Sequence, residues 1–139
     1  MCVCMYKRMT EQLSPRSTTA LNDADGDVTD GKTNTQDALR KLYESVFTVS
    51  GGDRSGIKDV AIVVSDGNSN VESGRTLSEA GEARRRGVEL FAVAVGQQSN
   101  MAEMAGIATD PDSTHLLSMR TENEVESTAR TLLDWLCAL

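Results

Sequence analysis

The chain contains no apolar run approaching the roughly twenty residues that a membrane-spanning helix requires, so no membrane span is expected from it. Positive charge is also scarce: 14 Lys and Arg face 21 Asp and Glu, for a formal net charge of -7 and a pI near 4.7. Such a surface repels a phosphate backbone unless its charge is strongly segregated. The longest basic cluster, Arg84-Arg85-Arg86, falls at the end of an expected helix, where cations complement the dipole in any case. Nucleic acid is therefore not the expected partner. Histidine occurs once, at His115, and no Ser or Cys stands at a spacing that would make it half of a nucleophilic pair. The chain is therefore not expected to be an enzyme. Cysteine occurs three times, so the cysteines cannot all pair within one chain. Cys2 and Cys4 lie too close in sequence to bridge comfortably, and Cys137 stands alone. By count alone they read as free thiols of a reducing compartment. A zinc site would need His115 or a distant carboxylate as its fourth ligand. The opening residues Met1 to Arg8 turn charged too soon for a signal peptide, which leaves a cytoplasmic location open.

What is present is an α/β pattern. With 139 residues, 39% of them hydrophobic, the chain fits one domain with a real core. Residues 1–30 carry turn formers and scattered apolar positions (Leu13, Leu21, Val28) and are expected to form a poorly ordered lead-in, with the domain proper at 31–139. A helix is expected from Thr35, its N-cap, to Phe47, with Ala38, Leu39, Leu42, Tyr43 and Val46 as its apolar stripe. Asp59 to Ser65 is continuously apolar within, the mark of a strand buried on both faces. Thr76 and Glu79 read as a capping box for a second helix that stops at Gly87, followed by a buried strand from Val88 to Val95. A short helix over 100–108 is expected to turn Met101, Met104, Ala105 and Ala108 inward, a stripe of core type. A short strand over 115–119 follows, with His115 as a surface or packing residue. Thr121 and Glu124 then cap a last helix that carries Val125, Ala129, Leu132, Leu133 and Leu136 inward, with Trp135 packing it. Strands alternating with helices imply a doubly wound, mostly parallel sheet with helices on both faces.

Two loops carry the chemistry, Gly31-Lys32-Thr33-Asn34-Thr35 and Ser65-Asp66-Gly67. Hydroxyl and carboxylate oxygens at a strand's carboxyl end suit a hard divalent cation, and open α/β sheets place ligands at that end. Gly26 to Thr33 also has the G-x-x-x-x-G-K-[ST] spacing of a phosphate-binding loop, which makes a nucleotide binder the less favoured alternative. Against it stand the polar, acidic residues before Gly26 and the carboxylates of Asp27 and Asp30, which would face the phosphates. Asp23, Asp25 and Asp27 open like a calcium loop, but position six is Val28 where glycine is needed and position twelve is Asn34 where glutamate is needed.

The order of segments is more specific than any one loop. Gly31 to Thr35, a helix, Val60 to Gly67, a helix, Arg86 to Gly96, then Ile107 to Pro111 and His115-Leu116-Leu117, resembles the von Willebrand factor A domain over about Gly31 to Cys137. The A domains of matrilins and microfibrillar collagens are nearest in character. The resemblance implies a Rossmann-like domain with a metal-ion-dependent adhesion site for magnesium or manganese, and a protein partner such as collagen that offers a carboxylate as the last ligand. Residue by residue it carries over Thr33 and Asp66 as metal positions. The family's first loop, D-x-S-x-S, occurs nowhere in this chain. Cation binding is therefore expected to be weak or absent and the domain to be incomplete at its amino-terminal side, with open edges beside the missing strand. The resemblance also implies an extracellular parent and gives Cys137 the place of a domain-closing disulfide cysteine. An intracellular scaffold of the same family is the alternative.

Overall fold

The computed structural model describes residues 2–7, 20–22 and 33–139. Five strands form one sheet in the order β2-β1-β3-β4-β5. They are β1 (Cys2–Lys7), β2 (Ala20–Asn22), β3 (Asp59–Ser65), β4 (Glu89–Val95) and β5 (Leu116–Met119). β3, β4 and β5 run parallel, with Ile62 opposite Phe91 and Val93 opposite Leu117, whereas β1 runs antiparallel to both β2 and β3. Parallel neighbours need crossovers, and the helices supply them. The helices are α1 (Thr35–Lys41, prolonged by a π turn over Leu42–Val46), α2 (Thr76–Arg85), α3 (Met101–Ile107), α4 (Asp112–His115) and α5 (Val125–Cys137).

The period-two geometry of a strand sends alternate side chains to opposite faces, and here each face has its own core. Ala61, Val63, Leu90, Ala92 and Ala94 meet Leu39 and Leu42 of the first helix, Ala80 and Ala83 of α2, and Met104 and Ile107 of α3. On the other face Val60, Ile62, Phe91 and Val93 meet Leu136, with Leu132 and Trp135 packed against them. Helices on both faces of a parallel layer confirm the doubly wound architecture expected from the sequence.

Two strands lie where the sequence showed no regular element. β1 pairs along β3 from Cys2 opposite Val64 to Lys7 opposite Asp59, so the flank of β3 expected to stand open is bonded along most of its length. This pairing joins segments more than fifty residues apart, which local periodicity does not report.

Several details also differ from expectation. Asn34, not Thr35, caps α1, its side chain accepting from the Asp37 amide at 3.3 Å. Asx side chains are the stronger caps, and Thr35 becomes the first helical residue, 1% exposed. α2 lacks the capping box. A 3₁₀ turn over Ser73–Arg75 leads into it, the Thr76 hydroxyl meets Ser69 Oγ at 3.1 Å, and Glu79 accepts from the Tyr43 hydroxyl at 2.5 Å. Burial and the bond to Glu79 push the Tyr43 pKa up to about 12, and the Arg86 guanidinium lies 4.4 Å over the Tyr43 ring. Together these contacts fasten the first helix to α2. Met101 faces outward while Met104 is buried, and Ala105 is only half-buried. On α5 the stripe turned away from the sheet is Val125, Ala129 and Leu133, with Val125 51% and Leu133 55% exposed.

Two polar groups hold the crossovers. Arg84 Nη1 donates to the carbonyls of Gly106, Ile107 and Ala108 at 2.9, 2.6 and 3.0 Å, closing the end of α3. His115 is buried with its ring centroid 4.6 Å from that of Phe91. Its Nε2 lies 2.7 Å from Glu89 Oε1, while Lys58 Nζ lies 3.0 Å from Glu89 Oε2. Burial alone would raise the Glu89 pKa, but the bonds from Lys58 and His115 outweigh it and hold the carboxyl below its ordinary value.

Arg84→Met keeps the stem of the side chain and removes the donor to three helix-end carbonyls, so denaturant unfolding should show a loss of about 2 kcal/mol. A group with a depressed folded pKa contributes stability above its ordinary value, 4.5 for Glu89, and loses that contribution as pH falls through the folded value. Glu89→Gln should therefore lower the melting temperature at pH 7 and make its decline on acidification shallower, as read by thermal scans across pH.

Candidate functional site

β3 ends at Ser65, and the chain turns immediately into the loop that carries Asp66. Gly67 sits at φ +72°, where an added Cβ would lie 2.7 Å from Asn100 O and 2.9 Å from Met104 Cγ, so only glycine lets the loop lie this close to α3. The turn is closed by Ser65 Oγ, which accepts from the Gly67 amide at 3.1 Å, and by Asp66 Oδ1, which accepts from the Asn68 amide at 3.1 Å. Asp66 is exposed.

The Thr33 segment lies against this loop. The Thr33 amide donates to Asn70 Oδ1 at 2.8 Å, and the Thr33 carbonyl accepts from the amides of Asn70 and Val71 at 3.1 and 3.3 Å. Three bonds thus join the residue before the α1 cap to the stretch four residues past Asp66. On the other side, the Asn100 amide donates to the Asp66 carbonyl at 2.7 Å. The two loops singled out in the sequence are therefore neighbours at the carboxyl end of β3. Residues 26–32, the body of the phosphate-loop spacing, and the Asp23–Asp27 run lie outside the described residues.

The donors here are a threonine hydroxyl and a carboxylate, both hard oxygens suited to magnesium, manganese or calcium. Neither Thr33 Oγ1 nor Asp66 Oδ2 is engaged in a hydrogen bond among the described residues, so both remain free to bind. Among the described residues no group of three or more His, Cys, Asp or Glu is placed to hold a metal. The oxygens therefore fit a hydrated cation bound through few protein atoms. β1 does not add to them as a first loop would. It runs antiparallel to β3, so its carboxyl end, Lys7, lies opposite Asp59 at the far edge of the sheet from Asp66. Two further buried polar atoms at the start of α1, Thr35 Oγ1 and Gln36 Oε1, have no hydrogen-bond partner among the described residues.

Of the residues that hold the loop, Ser69, Asn70, Asn100 and Glu103 were not singled out from the sequence, and Thr76 was read only as a helix cap. The Asn100-x-x-Glu103 spacing was the signal available for two of them.

Comparison with known proteins bears directly on this arrangement. The von Willebrand factor type A domain matches residues 10–131, beginning inside the stretch that the sequence left unassigned. Human matrilin-3 is 30% identical over 125 residues, covering 86% of this chain and 25% of that protein. Human integrin alpha-E is 33% identical over 87 residues, covering 60% of this chain and 7% of that protein. The chain thus spans a quarter or less of these relatives. Among solved structures, proximal thread matrix protein 1 from the mussel byssus superposes with a TM-score of 0.69 at 24% identity, covering 77% of this chain and 27% of that one. A second structure of the same protein, also at TM-score 0.69 and 24% identity over 78% of this chain and 27% of that one, is described with a zinc-occupied MIDAS motif. At this identity the structural likeness establishes the fold alone. The sequence matches establish the kinship: the chain belongs to the von Willebrand factor type A family.

Proposed function

We propose that this chain is a protein-binding module of the adhesion and matrix type, in which a magnesium or manganese ion rests against Thr33 and Asp66 and a carboxylate of the partner completes its shell. Collagen or another matrix protein is the class of partner that offers such a group. The observation that supports this reading is the set of three bonds between the Thr33 backbone and Asn70–Val71, one to the Asn70 side-chain oxygen and two from the Asn70 and Val71 amides, which hold the two oxygen-bearing loops side by side. The D-x-S-x-S donors have no counterpart in the chain. The ion then keeps most of its waters and binds weakly, which suits an ion that dehydrates reluctantly. Binding, not turnover, is what such a site supports. The reading takes the parent protein as extracellular. A second reading is an intracellular scaffold of the same family, in which Cys137, exposed and in no disulfide among the described residues, would stay a thiol.

Calorimetry with magnesium on the isolated chain should give a dissociation constant of about 1 mM or weaker; tight binding would contradict a site of so few protein oxygens. Capture of the chain by immobilised collagen or matrix protein should be lost with EDTA. Asp66→Ala should weaken it at least about tenfold, a loss of ~1.4 kcal/mol, with only a small drop in melting temperature, because the carboxylate is exposed and its bond to the Asn68 amide can be replaced by water. Capture indifferent to both EDTA and Asp66→Ala would remove the cation from the mechanism and move the assignment to the scaffold reading.

A further inference from the structure

α3 opens with the residues of a capping box, Asn100 at the N-cap and Glu103 three positions on. In the usual box the carboxylate reaches back to the N-cap amide, so that two otherwise unpaired donors are satisfied reciprocally. Only half of that arrangement is kept here. Asn100 Oδ1 accepts from the Glu103 amide at 3.2 Å. The other two groups turn outward to the Asp66 loop: the Asn100 amide goes to the Asp66 carbonyl at 2.7 Å, and Glu103 Oε1 accepts from the Ser69 amide at 3.3 Å. Gly67, between these two points, is pressed against Asn100 and Met104. The Asn68 amide, also between them, is the one that Asp66 Oδ1 accepts.

We propose that Glu103 is a positioning residue for the Asp66 loop, holding Ser69 so that the Asp66 carboxylate keeps its aim toward the cation. The inference rests on the reading of Asp66 as a cation-facing group. Asn100 secures the first residue of the loop, Asp66, and Glu103 the fourth, Ser69, so the backbone between them is held at both ends. The opposite side of Ser69 is held only by the neutral contact between its hydroxyl and Thr76 Oγ1 at 3.1 Å. An ionised acceptor makes the stronger bond. Ser69 is half-buried, so water would claim its amide once the carboxylate is gone. The loop would then pivot about Asn100, and the Asn68 amide would slip from the Asp66 carboxylate.

Amide hydrogen exchange on the full chain tests this. Glu103→Met keeps the length and helix propensity of the side chain but has no oxygen acceptor, whereas Glu103→Gln keeps the acceptor. In Glu103→Met the Ser69 and Asn68 amides should exchange at least about tenfold faster, Glu103→Gln should stay within about threefold of wild type, and the Phe91 amide in β4 should not change in either. Unchanged exchange at Ser69 in Glu103→Met overturns the proposal, and so does equal acceleration at Phe91, which would mark a global loss of stability. Broadening of the Asn68 resonance by manganese should be seen in wild type and Glu103→Gln and be lost in Glu103→Met. Absence of broadening in wild type would count against the cation reading itself, while the exchange comparison still decides the role of Glu103.

Discussion

Five residues that follow β3, Asp66 to Asn70, are bonded to the segment ahead of α1, to α2 and to α3. Thr33 meets Asn70, Thr76 meets Ser69, and the first turn of α3 meets both Asp66 and Ser69. Most of these bonds involve backbone amides or carbonyls, so they constrain the path of the chain and not merely its side chains. A carboxylate on a free loop would sample many directions, and a weakly held ion could not select one of them. Here the scaffold supplies the ordering that two protein oxygens alone would lack. The proposed binding face is therefore built by the strand end and by its helices together.

Below that face, small side chains decide how closely the layers approach. Ala61, Ala92 and Ala94 on the sheet share one core with Ala80 and Ala83 of α2, small side chains that allow the layers to approach closely, and the larger Leu39, Leu42, Met104 and Ile107 complete it. The opposite face is built on Phe91 and Trp135, whose centroids are 6.4 Å apart, and on Ile62 and Leu136. His115 belongs to this second layer through its stacking on Phe91, and its link to Glu89 ties the start of β5 to the start of β4. The single histidine thus joins two neighbouring strands.

Buried strands and amphipathic helices were legible because their signals are local: an unbroken apolar run such as Val60 to Val64 can lie only inside a sheet, and the Leu39–Leu42 spacing marks a helical face. Interactions set by distant residues were not. Glu79 leaves its expected cap because Tyr43, thirty-six positions away, offers a hydroxyl. The last helix carries two apolar stripes, and periodicity cannot tell which of them meets the sheet. The Leu132, Trp135 and Leu136 stripe does so, leaving Val125, Ala129 and Leu133 outside. β1 escaped notice because its partner lies far along the chain. At the site the sequence identified Thr33 and Asp66 from their loops, but the clasp of Asn70, Asn100 and Glu103 follows from tertiary approach, which no spacing rule contains.

The direction of β1 has a practical corollary for anyone handling this protein. Because Cys2 lies opposite Val64, one residue before the end of β3, any polypeptide joined ahead of it enters at the rim beside Asp66. An affinity handle or fluorophore placed directly ahead of Cys2 would crowd the proposed binding face and imitate a blocking mutation. Attachment after α5 starts from a helix packed on one broad side of the sheet and leaves the rim unobstructed, so a carboxyl-terminal fusion is the informative geometry for capture experiments.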